Sequence, residues 1–117
     1  MTPYKHVYKT VSALGIPGTL MAWPIADGSG KGGAPAPPFF VYLRDEDGGF
    51  SADDGTYAEV PTFMVELYEA EPDLELEARV AQALRDAYGP VRTDESWVDS
   101  EHVRLVSYTF PFTPKTE

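Results

Sequence analysis

Cysteine is absent from the 117-residue chain. That excludes disulfides, thiolate nucleophiles and cysteine-ligated zinc, and it fits a reducing compartment. Histidine is scarce: His6 and His102 are the only two, too few for a compact multi-histidine zinc site. Cations are also few. Lysine and arginine total 9 against 19 aspartates and glutamates, for a formal net charge of -10. The nine basic residues are scattered and form no run. A duplex-binding surface needs clustered cations, so sequence-specific nucleic-acid binding is not expected. Anionic membranes should repel the chain. No apolar window approaches the length that spans a bilayer, and the segment 1–11 lacks the apolar stretch of a secretory leader. A soluble protein, cytoplasmic where it is made, is expected.

What is present suits a small globular domain. The hydrophobic share is 43%, near the globular average, and the length favours one domain with a modest core. That domain is expected over residues 1–110, with an extended Gly/Pro-rich loop at 27–38 and a flexible C-terminal tail at 111–117.

"TPYKHVYKTVSALG" reads as a helix. Thr2 can cap it and Pro3 suits its first position. Tyr4, Val7, Tyr8, Val11 and Leu14 recur at helical spacing, and Gly15 with Pro17 ends the run. "TLMAW" (19–23) is a short strand candidate. "FFVYLR" (39–44) is a central strand, with Phe40, Tyr42 and Arg44 on one face and Phe39, Val41 and Leu43 on the other. "VPTFMVELY" (60–68) is its antiparallel partner. Phe63, Val65 and Leu67 point one way, and Thr62, Met64, Glu66 and Tyr68 the other.

"EPDLELEARVAQALRDAYGP" reads as a second helix. Pro72 falls in its first turn, acids sit near its N-terminus, and Leu76, Val80, Ala83, Leu84 and Ala87 form the buried stripe. "VRTDESWV" (91–98) is a polar edge strand and "HVRLVSYTF" (102–110) a stronger one. The fold class expected is α/β in the α+β sense: a mainly antiparallel four- to five-stranded sheet with two helices on one face. Tyr42, Met64, Tyr68 and Tyr108 are expected on the other face, where subunit packing would cover them.

"YLRDEDGGFSADDGTYAEV" (42–60) raises a chemical question. Asp45, Glu46, Asp47, Asp53 and Asp54 could mark a metal loop. An EF-hand loop needs a glycine at its sixth position and a glutamate at its twelfth. Counted from Asp45, Gly48 comes too early and Thr56 holds the twelfth place. Two-metal catalysis needs carboxylates on converging elements, and these lie in one connection. The favoured reading is a solvated hairpin loop.

"GSGKGG" (28–33) lacks the spacing and the following helix of a phosphate-binding loop. Ser12, Ser96 and Ser107 sit in no nucleophile elbow. His6 and His102 read as structural or exposed, and Trp23 and Trp97 as packing or interface anchors. No catalytic, cofactor-binding or metal-ligating residue is assigned. The candidate interface comprises Trp23, Phe40, Tyr42, Phe50, Met64, Tyr68, Trp97 and Tyr108.

The order of short signals resembles a small neck protein family of long-tailed bacteriophages and prophages, the tail-terminator, tail-completion and head-tail joining group. The residues are Leu14-Gly15-Ile16-Pro17, Pro37-Pro38-Phe39-Phe40-Val41-Tyr42, Ala52-Asp53-Asp54-Gly55-Thr56-Tyr57, Glu66-Leu67-Tyr68, Asp73-Leu74-Glu75-Leu76-Glu77, and Glu101 leading to Tyr108 and Phe110. The resemblance covers residues 7 to 110. The stretch 27–38 is longer and richer in glycine and proline than the family pattern.

The resemblance implies a structural protein forming a hexameric ring. That ring caps the major tail tube protein and joins it to the head-connector or stopper protein, with DNA passing through and no catalytic residue. It further implies the host cytoplasm during assembly and the virion neck afterwards. Two other readings are open: a non-enzymatic acidic module or inhibitor that docks a basic protein, and a small hydrolase using Asp45, Asp47, Asp53 or His102.

Overall fold

The structure, a computed structural model, describes residues 2–21, 35–45 and 60–115. Seven elements follow one another: α1 (Pro3–Ser12), β1 (Gly18–Leu20), β2 (Phe39–Arg44), β3 (Thr62–Glu69), α2 (Leu74–Tyr88), β4 (Arg92–Val98) and β5 (Val103–Pro111). The strands form one five-stranded sheet in the order β1-β2-β3-β5-β4. Both helices pack on one face of it, so the fold is α+β.

The helix boundaries follow from local chemistry. The Thr2 hydroxyl accepts from the Lys5 N–H, and Pro3 fills the first turn of α1 without wasting a donor. Gly15 takes φ +86 after α1, a conformation that favours glycine. In α2 the Asp73 carboxylate accepts from the Leu76 N–H at 3.0 Å. Pro72 therefore precedes the cap and is not in the first turn. Gly89, at φ +96, ends α2.

The buried positions of α2 are Leu76, Val80, Ala81, Leu84 and Tyr88. Ala83 and Ala87, expected in the stripe, are only half-buried. The stripe is rotated so that Tyr88 reaches the core, where it stacks on Phe110 at 4.7 Å between centroids. In α1 Val7 and Val11 are buried, Leu14 is half-buried, and Tyr4 and Tyr8 stay partly exposed.

The first strand departs most from expectation. It is Gly18–Leu20, and Met21 already bends away at φ 63. Ala22 and Trp23 lie outside the described residues. β1 runs parallel to β2, whereas β2–β3, β3–β5 and β4–β5 are antiparallel. Gly18 lies opposite Phe40, whose ring occupies the space a Cβ at position 18 would need. Glycine thus lets the aromatic ring lie over the edge strand.

Register settles which side chains meet the helices. Tyr42 pairs with Val65, and Val65 with Tyr108. All three lie on the helix-covered face, with Phe40, Phe63, Leu67, Val106 and Phe110. Tyr42 and Tyr108 therefore do not share the other face with Met64 and Tyr68, as expected from the sequence. Alternation inside one strand does not fix its phase against the next strand. The opposite face, free of helices among the described residues and hence the helix-free face, carries Phe39, Val41, Leu43, Met64, Glu66, Tyr68 and Leu105.

The end of the described chain is docked. β5 continues through Pro111. The Phe112 N–H donates to the Pro61 carbonyl, the Lys115 N–H to the Ala87 carbonyl, and the Thr113 hydroxyl to the Tyr88 carbonyl. Phe112 packs edge-on against His6. The expected flexible tail from residue 111 is thus corrected for residues 111–115: an aromatic anchor and three hydrogen bonds hold them.

Candidate functional site

Glu69 is the last residue of β3, on the same face as Phe63, Val65 and Leu67. A glutamate in that phase points at the helices. It is 2% exposed. Its ladder partner is Arg104 of β5, and Glu77 comes down from the first turn of α2. The Arg104 Nε donates to Glu77 Oε2 at 2.8 Å, and Nη2 donates to Glu77 Oε1 at 2.9 Å. Nη2 also donates to Glu95 Oε1 of β4 at 2.7 Å. Glu69 Oε1 lies 3.6 Å from Arg104 Nε, in ion-pair range but beyond a hydrogen bond.

One arginine therefore faces three carboxylates. The bidentate fork commits it to Glu77. Arg104 holds the Glu77 carboxyl below the usual carboxylate range, and burial opposes this. Glu69 moves the other way, pushed up to about 8. Burial is the largest cause; a hydrogen bond shared with Glu77 and the Glu77 charge add to it. The Asp73 N–H and Arg104 oppose it and are outweighed. As a carboxylate, Glu69 has no well-formed hydrogen bond to either oxygen among the described residues. Tyr108 closes the cluster, its hydroxyl donating to the Glu77 carbonyl at 2.9 Å. Burial first, then the nearby carboxylates, raises its pKa.

A cleft of about 260 Å³ opens beside this cluster. Pro37, Pro38 and Leu76 line it together with Glu69, Glu71 and Asp73, and both Glu69 carboxyl oxygens are buried behind its wall. The arrangement can hold or release a proton at Glu69 and can attract a cation. It has no nucleophile activated by a base.

The expected interface residues separate into groups. Phe40 and Tyr108 are buried in the core, at 0% and 1% exposure, and offer nothing to a partner. Tyr42 is half-buried beneath Tyr8, their centroids 5.8 Å apart. Met64 and Tyr68 are half-buried on the helix-free face, where Tyr68 stacks on Phe39 at 5.0 Å. Burial and the neighbouring Glu66 push the Tyr68 hydroxyl up to about 12. Trp97 is 51% exposed on the edge strand β4. Trp23 and Phe50 lie outside the described residues.

The residues raised as possible catalysts are dispersed. His6 Nδ1 sits 2.6 Å from the Tyr88 hydroxyl, which also lies 3.1 Å from the Thr10 hydroxyl. That network ties α1 to α2 behind the core. His102 is exposed in the turn before β5, at φ 53. The Asp45 N–H continues the β2–β3 ladder to the Thr62 carbonyl at 2.7 Å. Asp47 and Asp53, with the rest of the acidic loop and the Ala52–Tyr57 signal, lie outside the described residues. Among the described residues, no group of three or more metal-binding side chains is placed to hold an ion, and no helix is long and apolar enough to cross a membrane.

The Glu69 cluster escaped the reading of the sequence. One signal was available: in "FMVELYE" the buried phase Phe63–Val65–Leu67 continues onto Glu69. A glutamate in a core phase requires a buried partner or a proton. Compared with known proteins, the chain matches no family model, no curated protein and no solved structure.

Proposed function

We propose that the chain is a structural, non-enzymatic subunit of a closed ring, of the phage tail-terminator or head-tail joining kind. The observation that carries the proposal is the pair of unlike sheet edges. β1 forms one edge, with Leu20 and Met21 exposed at its end; β4 forms the other, with Trp97 exposed. A ring joins one surface of a subunit to a different surface of the next, so it needs two complementary patches at separate places. Strand edges also offer unpaired backbone groups. The motif order described above supports the tail-end role.

Light scattering coupled to size exclusion, at several concentrations and with negative-stain imaging, tests this reading. A ring of about six copies is expected, and Trp97→Asp should dissociate it while leaving far-ultraviolet circular dichroism unchanged. A strict monomer that never decorates isolated tail-tube ends would overturn it. A second reading, an acidic module that docks a basic protein, draws on the net charge of -10 and on the carboxylates around the cleft. Salt-sensitive binding to a basic non-tail protein would favour it.

A further inference from the structure

We propose that Glu69, Glu77 and Arg104 form a proton-operated latch: while Glu69 is neutral, Arg104 forks Glu77 and fastens the first turn of α2 to β5, and when Glu69 loses its proton the Arg104 Nε–H passes to Glu69 and that turn loosens.

The geometry places one donor between two acceptors. The Arg104 Nε stands 2.8 Å from Glu77 Oε2 and 3.6 Å from Glu69 Oε1. One N–H makes one well-formed hydrogen bond, so the two glutamates compete for it. Glu77 holds it now, with a second bond from Nη2. Glu69 is 2% exposed, and neither of its carboxyl oxygens has a hydrogen-bond partner among the described residues. With Glu69 neutral, Arg104 and Glu77 are a matched pair, and Glu95, which Nη2 also reaches, is open to solvent. An ionised Glu69 adds an unhydrated anion beside Glu77. Its charge requires a donor, and a short movement of the guanidinium supplies one.

The part that yields is the start of α2. β3 and β5 are joined by a ladder running from Thr62–Pro111 to Glu69–Arg104. The first turn of α2 is held by less: the Leu76 N–H on the Asp73 carboxylate, the Glu77 N–H on the Asp73 carbonyl, and the Glu77 fork. Helix ends open more readily than core strands. Both Glu69 oxygens are buried behind the wall of the cleft, so water reaches them only when that wall moves. Loss of the proton to solvent and movement of the turn are therefore coupled. The groups that face Glu69 are Glu77 of α2, the Asp73 N–H before it, Arg104 and Tyr108 of β5, and Glu95 of β4 through Arg104. Pro37 and Pro38 bring no charge. The latch belongs to a single copy, so its failure and the failure of the ring reading are separate results.

The test follows the full chain from pH 6 to pH 9 by three signals: the Glu69 carboxyl ¹³C shift, the Arg104 Nε–H resonance, and amide hydrogen exchange corrected for the unfolded-chain rate. The Glu69 carboxyl should titrate in this range, and the Arg104 Nε–H should shift with the same midpoint. Protection of the Leu76 and Glu77 amides should fall by up to about tenfold per pH unit above that midpoint, while the β3 amides stay protected. Glu69→Gln, which cannot ionise, should abolish both the Arg104 shift and the loss of protection. Glu77→Gln removes the competing charge and should lower the Glu69 midpoint; it serves as the second variant should the first unfold. A Glu69 carboxyl that titrates with an unmoved Arg104 Nε–H and unchanged protection would overturn the proposal. So would a Glu69 carboxyl that does not titrate in this range, the same loss of protection in Glu69→Gln, or an unmoved Glu69 midpoint in Glu77→Gln.

Discussion

A carboxyl group buried beside another carboxyl keeps its proton to higher pH than one in water. Glu69 does so: its folded value is about 8 against an ordinary value of 4.5. Between those values the folded protein holds a proton that the unfolded chain has released, so this group's contribution to stability declines as pH climbs through the window. Glu77 acts in the opposite sense. Its lowered value contributes stability above the ordinary carboxylate range, and that contribution is lost as pH falls through the folded value. Replacing Glu69 by glutamine keeps the shape and removes the ionisation. Glu69→Gln should be more stable than the parent at pH 8 by about 1–3 kcal/mol, the usual cost of an unsatisfied buried polar group. Its stability should also lose the parent's decline over the window. Urea unfolding at several pH values measures both; a parent with no such decline would show that Arg104 compensates Glu69 after all.

At the scale of the elements, the start of α2 carries the site. The Asp73 carboxylate caps the helix, Glu75 and Glu77 follow in its first turn, and Glu77 ties that turn to β5 through Arg104. Asp73→Ala should therefore cost about 1 kcal/mol from the lost cap. Because the cap also fixes where Glu77 sits, the same variant should disturb the Arg104 side-chain resonances, and a stability change with unmoved Arg104 signals would separate the two roles.

The elements themselves were largely legible. Periodicity is local, so α1, α2, β2, β3, β5 and the polar edge β4 could be read from 3.6- and 2-residue repeats and from Pro and Gly stops. The parallel pairing of β1 and the phase of Tyr42 and Tyr108 were not legible, since both depend on register between strands. The Glu69 cluster was hidden for the same reason. Its arginine lies 35 positions further along (104 − 69) and is brought opposite only by the β3–β5 ladder. The acidic loop that prompted the metal question lies outside the described residues.

For the whole molecule, charge and assembly are linked. Each copy carries a net charge of -10, so copies gathered in the proposed ring would repel one another. Added salt screens that repulsion over a Debye length of about 8 Å near physiological ionic strength. Ring formation should therefore strengthen as salt increases, whereas docking of a basic partner should weaken. Measuring mass against salt, with and without a basic protein, separates the two readings; association that weakens with salt would count against the ring.

The strand order also sets a timetable. β4 precedes β5 along the chain, but β5 lies between β3 and β4 in the sheet. As the polypeptide leaves the ribosome, β2 and β3 can pair at once, while β4 emerges with no neighbour and both of its backbone edges bare. It gains a partner only after β5 has followed it out. The hairpin of β4 and β5 can then be laid against β3, carrying Arg104 to meet Glu77. Until then the carboxylates of β3 and α2 wait for their cation, and newborn chains pass through a stage in which a strand edge is open to any neighbouring chain.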